Sequence, residues 1–474
     1  VTHPHDLGVR ETAAAVRARE ISPVELADHY LERIERLNPR VGAYVTVTAD
    51  LAREQARAAE KAVADAADPA ELPPLLGVPI PIKDLNLVEG VRTTFGSAVF
   101  ADLTGFADDS VVRLLRDAGT VMPGKTTTPE FGLPCYSEGP VAPPARTPWD
   151  LTRSAGGSSG GAAAAVAAGL APAAQGSDGG GSIRIPSSAC GLFGIKPTRG
   201  RVSLGPTSAD LFGLATNGPI ARNVRDAALL LDVMSAPMYG DMFRAPAADG
   251  TFLSFADRPP GRLRIARSIE PAVPDATVHP DCVAAYEEAS ALLEELGHEV
   301  VDLPQVDASG LLPHFETLWA AMATTTPVPP ESEHLLQPLT RHLRARGAAT
   351  TAAELLNAQA TLQGAFRLVL EVMDEYDAIL HPTLAQPPVP VGHFHDQDPE
   401  ENFARQTRFT PFCAMYNISG QPAVNVPLHW TGEGLPIGVM LAGRIGGEGT
   451  LISLSAQLEE ARPWAARKPP VWTE

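Results

Sequence analysis

Three side chains in glycine- and proline-marked segments stand out as able to do chemistry together. Lys83 closes the segment Gly77-Val78-Pro79-Ile80-Pro81-Ile82-Lys83-Asp84, and Ser158 sits inside Gly156-Gly157-Ser158-Ser159-Gly160-Gly161. Ser182 follows a run of three glycines in Ser177-Asp178-Gly179-Gly180-Gly181-Ser182-Ile183-Arg184-Ile185-Pro186. A serine hydroxyl is a poor nucleophile until a base takes its proton. A lysine serves as that base only once its ammonium has lost a proton of its own. Consecutive glycines let a backbone turn its N–H groups to one side, which makes a nest for an anion. Acyl transfer needs such a nest close to the nucleophile, where negative charge develops on oxygen.

Each segment also has a plainer reading. The Gly-Ser run from Gly156 to Gly161 has the composition of a linker, but it opens directly into an apolar stretch. It could cradle a phosphate at a helix start, yet Ala162 stands where a phosphate loop would end in Ser or Thr after Lys. It also spells Gly-x-Ser-x-Gly, but the polar stretch Leu151 to Ala155 ahead of it does not read as the strand that such an elbow needs. Gly119 to Thr126 matches the phosphate-loop string literally, with the expected strand falling inside the string and a proline soon after it. Lys125 of that string is a rival base to Lys83. Asp178 and Arg184 could simply pair with each other. His393-Phe394-His395-Asp396 is a weak metal pattern in an acidic, proline-rich surround, and His381 and His429 lie beside strands as structural residues do. No metal and no cofactor is expected.

The elements around these residues alternate. Apolar spacing predicts helices over Leu7–Glu20, Pro23–Leu37 and Asp50–Ala67, with Ser22-Pro23 as a helix start. Val41–Val47 reads as a strand. From Leu75 onward, strands are predicted at Gly77–Ile82, Thr120–Pro123, Pro172–Gly176, Leu263–Arg267, His298–Leu303, Ala378–Leu380, Ala423–His429 and Ile437–Ala442. Helices fall at Asp108–Ala118, Asp281–Leu296 and Thr450–Ala461, with a short helical turn from Ser182 through Ile185. The prolines at 79 and 81 remove ladder donors, so that strand should be irregular. The alternation predicts an α/β protein: one twisted mixed central sheet covered by helices on both faces. A single domain over 1–474 is expected, with a helical part at 1–70, a core at 71–210 and a remainder at 211–474 completing sheet and pocket. Asp241–Pro260 and Thr325–Glu333 read as loops.

Composition narrows the function. The chain has 474 residues and a formal charge of −19, which argues against nucleic-acid or anionic-membrane surfaces. The alanine-rich stretch from Gly160 to Ala174 is too short and too interrupted for a membrane span and reads as a buried helix. Cys135, Cys190, Cys282 and Cys413 lie far apart with no C-x-x-C pair, as in a reducing cytoplasm. Val1 to Asp6 has neither the basic nor the apolar part of a secretion signal.

Taken together, the segments resemble the amidase signature family. The resemblance lies in Gly77 to Asp84, in Gly156 to Gly161, in Asp178 to Pro186 and in Lys196-Pro197-Thr198-Arg199-Gly200-Arg201. It extends through Gly420-Gln421-Pro422-Ala423 and Leu435 to Val439, so it covers most of the chain. It implies a Ser-Ser-Lys triad in which Ser182 is the nucleophile, Ser158 the bridge and Lys83 the base, with a cis peptide between Gly157 and Ser158. It also implies an oxyanion nest from the N–H groups of Gly179, Gly180, Gly181 and Ser182, braced by Ser177, Asp178 and Arg184. Gly179 and Thr127 depart from residues frequent in the family; neither is a triad position. The stretch Gly194 to Ala227 and the close at Leu458 to Pro463 are most similar to the 6-aminohexanoate-cyclic-dimer hydrolase branch, which implies small, linear or cyclic, apolar amides.

The mechanism so implied needs Lys83 neutral near pH 7, about 4–5 kcal/mol of destabilisation of its charged form. Burial supplies this provided that Asp84 points away. Pocket walls are expected from Glu130–Ser137, from around Phe315 and Trp319, and from Phe409–Asn417, with Cys135, Tyr136, Trp319 and Phe412 as candidate contacts. The partner is a small-molecule amide, and a homodimer is compatible with the sequence. Two other readings stay open: an ammonia-supplying glutaminase subunit of an amidotransferase, and a catalytically silent binding protein on the same fold.

Overall fold

Strands that are apolar at every position must be covered on both faces. In the computed structural model, which describes residues 3–208, 211–236, 238–303, 308–395 and 398–474, that rule places the large sheet. The described residues form eleven strands: β1 (Tyr44–Val47), β2 (Ile82–Lys83), β3 (Gly124–Thr126), β4 (Ala173–Asp178), β5 (Phe193–Lys196), β6 (Thr216–Ala221), β7 (Arg264–Arg267), β8 (Glu299–Asp302), β9 (Ala378–Pro382), β10 (Ala423–Trp430) and β11 (Pro436–Gly443). Eight of them make one mixed sheet in the order β4-β6-β5-β10-β11-β9-β7-β8. Pairing is antiparallel from β4 to β9 and parallel from β9 to β8.

Residues of period two divide its faces. Val424, Val426, Val439 and Leu441 point into the core cluster that contains Leu230 and Leu231 of the helix Val224–Met234 and Leu292 and Leu293 of the helix Pro280–Glu295. Their neighbours Ala423, Met440 and Ala442 point the other way, onto Ile185, Phe412 and Tyr416. Helices therefore cover both faces, as the alternation predicts.

The remaining strands form a second, three-stranded sheet, β1-β3-β2, that the sequence pattern does not separate from the first. Lys83 is on it. The expected strand Gly77–Ile82 survives as the two residues of β2 plus a single bridge from Pro79 to Val121, since its prolines cannot donate to a ladder. The strand expected at Thr120–Pro123 begins its ladder only at Gly124. β5 and β6 were not expected at all. Gly194, Gly218 and Pro219 interrupt their apolar character, and Pro219 sits in a strand paired on both sides.

The helix Gly160–Ala167 joins the two sheets. It is built only from Gly, Ala and one Val, and every residue of it is buried. A Cβ at Gly161 would stand 2.3 Å from the Thr127 nitrogen and 2.5 Å from the Ala43 carbonyl, so only glycine lets the helix meet the small sheet. The helix Pro23–Val41 begins where expected, with Ser22 Oγ accepting from Val24 and Glu25 N–H, and runs four residues past the expected end to a left-handed Gly42. The two stretches read as loops contain only a single helical turn Phe252–Phe255 and a 3₁₀ turn Pro330–Leu335. No described helix is long and apolar enough to cross a membrane.

Candidate active site

Lys83 leaves the small sheet at its last ladder residue and points at the end of β4 in the large one. Its backbone is fixed there by Gln175, a polar residue within the alanine run of β4. Gln175 Oε1 accepts the Lys83 N–H at 2.8 Å, and its Nε2 donates to Asn86 Oδ1 and Asn217 Oδ1. The ammonium position is fully buried. Nζ is hydrogen-bonded to Ser158 Oγ at 2.8 Å, to Ser177 Oγ at 2.9 Å and to the Ser177 carbonyl at 3.3 Å. Burial lowers the Lys83 pKa to about 7, against the pull of the Asp178 carboxylate. An amine that has lost its proton beside a hydroxyl can accept that hydroxyl's proton.

Asp84 takes no part in this. Its Oδ1 accepts from Lys125 Nζ at 2.9 Å, and its Oδ2 from the Thr94 N–H and hydroxyl. Lys125, the rival base and the lysine of the phosphate-loop string, is thus committed to a fully buried ion pair, with Thr93 Oγ1 as a further partner. Asp84 points away from Lys83, as neutrality of the amine requires.

The serine loop is tied to the same place. The peptide between Gly157 and Ser158 is cis, and Ser158 is 2% exposed. Ser159 Oγ donates to the Ser177 carbonyl at 3.0 Å, and the Ser159 N–H donates to the Ser182 carbonyl at 3.1 Å. Lys83 is therefore hydrogen-bonded to Ser158 and Ser177, and the Ser182 backbone is tied to the serine loop through Ser159.

The loop that carries Ser182 is organised by a carboxylate. Asp178 Oδ1 accepts from the Gly181 N–H (2.7 Å), Arg184 Nη2 (2.9 Å) and Asn417 Nδ2 (2.9 Å), and Oδ2 accepts from the Ile183 N–H and Arg184 Nε. Burial would raise this carboxyl; the Arg184 guanidinium, Lys196 and these hydrogen bonds outweigh it and hold it well below the usual range. Lys196, equally buried, is itself lowered to about 7 by burial and by Arg184. Four N–H groups were expected to be free in this loop, and one is not: the Gly181 N–H is spent on Asp178. No protein acceptor faces those of Gly179, Gly180 and Ser182 among the described residues. Gly181 is required for another reason. Its φ is +129°, and a Cβ would lie 2.7 Å from Cys413 and from Ile185.

Gly180 and Ser182 open onto a cavity of about 120 Å³, close to the roughly 150 Å³ that holds a benzene ring in an apolar site. Its walls come from the three expected segments, with Cys135, Phe315, Trp319 and Pro411 among them, and also from Phe366 and Phe403, which the sequence reading did not assign. Two of the four candidate contacts line it, Cys135 and Trp319. Tyr136 and Phe412 do not. Tyr136 stacks on Phe394 and accepts from Asn402, and Phe412 is fully buried against His381. Among the described residues, no lining residue is charged. Burial keeps the Cys135 thiol far above its ordinary pKa, so it is an apolar wall.

The sequence reading missed Gln175 and Asn417. An amide side chain directly after the alanines of β4 was the available sign of the first; Asn417 gave none beyond its place in an expected wall. The histidines are structural. His381 is buried between the Ser268 carbonyl and the Tyr416 hydroxyl, and His395 contacts Glu138. Asp396 lies outside the described residues. All four cysteines are free thiols.

With this geometry in hand, comparison with known proteins gives a consistent result. The family model for Amidase matches residues 25–452. AmiB2 of Mycobacterium tuberculosis (strain ATCC 25618 / H37Rv), itself named an amidase only provisionally, is 40% identical over 480 residues, covering 99% of both chains. A 6-aminohexanoate-cyclic-dimer hydrolase of Paenarthrobacter ureafaciens is 34% identical over 494 residues, covering 98% of this chain and 97% of that one. A solved structure of 6-aminohexanoate cyclic dimer hydrolase complexed with substrate superposes with a TM-score of 0.90 at 31% identity over 99% of each chain.

Proposed function

Because this chain belongs to the amidase signature family and is a hydrolase of carbon–nitrogen bonds other than peptide bonds, we propose that it cleaves small carboxamides through an acyl-enzyme on Ser182. Lys83 is the base, Ser158 the bridge, and the N–H groups of Gly179, Gly180 and Ser182 form the oxyanion nest. One observation carries this reading: a buried Lys83 Nζ, lowered to about 7, stands 2.8 Å from Ser158 Oγ.

Neutral Lys83 takes a proton from Ser158 as Ser158 takes one from Ser182. The Ser182 oxygen bonds to the amide carbon, and the carbonyl oxygen becomes the anion held by the three N–H groups. Collapse breaks the C–N bond. Ser158 gives its proton to the leaving nitrogen and recovers one from the Lys83 ammonium. Water repeats the sequence on the ester and frees the acid. Asp178, Arg184 and Asn417 position the nest, and Ser177 positions the Lys83 amine.

The uncharged cavity beside Ser182 favours amides with an apolar acyl group on the scale of a ring. The glutaminase reading needs partners for a charged amino acid, and the described lining residues include no ionised group. A silent binding protein would have no use for a depressed lysine on a serine. Intact-mass measurement after a fluorophosphonate probe tests the assignment. One adduct is expected on the wild type and none on Ser182→Ala; a Ser182→Ala protein that still labels or still hydrolyses an amide refutes it.

A further inference from the structure

The three glycines ahead of Ser182 are not alike. Gly181 needs its freedom for a φ of +129°. Gly179 and Gly180 have no φ in the left-handed region, so the turn itself does not require glycine at either. What a side chain there would meet is Trp319. A Cβ on Gly180 would stand 3.5 Å and 3.6 Å from Cη2 and Cζ3 at the far edge of the Trp319 ring, and 3.8 Å from Phe315. A Cβ on Gly179 would stand 3.7 Å and 3.8 Å from the same two ring atoms. These are ordinary contact distances between carbons. The gap between the glycine backbone and the indole is therefore one methyl group wide.

The ring is held in place from behind. Trp319 is 7% exposed, stacks on Phe315 with ring centroids 5.4 Å apart, and packs in a cluster with Leu133, Leu339, Leu343 and Phe403. Its helix, Leu312–Ala323, is pressed against the helix Pro338–Ala349. A Cβ at Gly347 would stand 2.1 Å from the carbonyl oxygen of Ala320, the residue after Trp319. Widening the gap means displacing close-packed neighbours.

The gap adjoins the reacting carbon. Gly180, Ser182 and Trp319 line one cavity. In the Ser182 reading the carbonyl oxygen rests on the nest and the acyl group fills this cavity. The α carbon of that group is two bonds from the oxygen, which brings it to the Trp319 edge. We propose that Trp319, set against Gly179 and Gly180, selects the acyl group at its α carbon. The substrates are amides of acids whose α carbon is a CH2 or part of a flat ring, since a branch at that carbon has no room beside the indole. This inference rests on the Ser182 reading given above and narrows its substrate class.

The test uses 4-nitrophenyl butyrate and 4-nitrophenyl isobutyrate, activated esters that share a leaving group and an atom count and differ only in branching at the α carbon. On wild type, kcat/KM for the butyrate should exceed that for the isobutyrate by roughly 10–200-fold, the range for one misplaced carbon in an apolar pocket. Trp319→Phe keeps a ring for Phe315 but withdraws the far edge, and should remove most of that preference; Trp319→Leu serves in its place if the first variant does not fold. Phe366→Leu enlarges the same cavity from the helix Ala352–Met373 and should keep the wild-type ratio. No preference in wild type, an unchanged ratio in a folded Trp319 variant, or an equal loss of preference in Phe366→Leu overturns the assignment of Trp319. Wild-type protein that takes up no fluorophosphonate on Ser182 would instead sink the reading beneath it.

Discussion

At the scale of single residues, the account turns on Lys83 being an amine rather than an ammonium. Its pKa of about 7 makes activity depend on pH with a definite sign: kcat/KM should rise through about pH 7 and level off above it. Lys83→Ala should lower kcat/KM by roughly 10²–10⁴-fold. The same shift predicts a stability effect. In the unfolded chain the lysine holds its proton up to about pH 10.4. Between about 7 and that value the unfolded state binds more protons, so Lys83 costs stability below pH 7 and the cost fades as pH rises. Lys83→Met should therefore melt higher than wild type at pH 6, with the gain shrinking toward pH 10. A gain that grows with pH would contradict the depressed pKa. Lys83, Ser158 and Ser182 stood out in the sequence because proline- and glycine-marked segments carry them, and the fold brings the first of these to the second. Gln175 and Asn417 did not stand out. Their work is to satisfy backbone and carboxylate groups brought near only by the fold, and no local spacing records that.

At the scale of elements, the loop between β4 and the helix Arg184–Cys190 is the part most exposed to damage. Asp178 and Arg184 are both fully buried and hold each other. Asp178→Ala leaves the guanidinium uncompensated, which should destabilise the protein by about 3–5 kcal/mol in urea titration. Gly181→Ala forces a side chain into a φ of +129° with a Cβ 2.7 Å from Cys413 and Ile185. It should lower the melting temperature and reduce fluorophosphonate uptake together, since the loop cannot keep both its turn and its free N–H groups; uptake at the wild-type rate would show that the turn does not set the nest. These consequences could not be read from the glycine run alone, which marks a nest without saying which N–H is already taken. Element prediction failed for a related reason. β2 is two residues long because prolines precede it, and β5 and β6 hide behind Gly194, Gly218 and Pro219, residues that argue against strands unless the surrounding sheet imposes one.

At the scale of the whole molecule, the site exists only where two sheets meet. Lys83 belongs to the three-stranded sheet and Ser182 follows an edge strand of the eight-stranded one, and the Gln175–Lys83 bond and the buried alanine helix hold them together. The C-terminus is stitched to this junction. Arg33 Nε donates to the Gly169 carbonyl, just past that helix, while its other nitrogens donate to the Trp472 and Glu474 carbonyls. Removing residues 470–474 should therefore lower the melting temperature and activity together, in one transition; an active core that melts as before would argue for separable parts. The mixed sheet with helices on both faces was legible from the alternation of apolar runs, whereas its division into two sheets depends on contacts between segments far apart in the chain. The most direct test of the proton relay is the rate of fluorophosphonate attachment to Ser182 as a function of pH. The account predicts that the wild-type rate climbs through about pH 7 and that Lys83→Met is slow and flat across the range. Equal rates and equal pH dependence in the two proteins would contradict it.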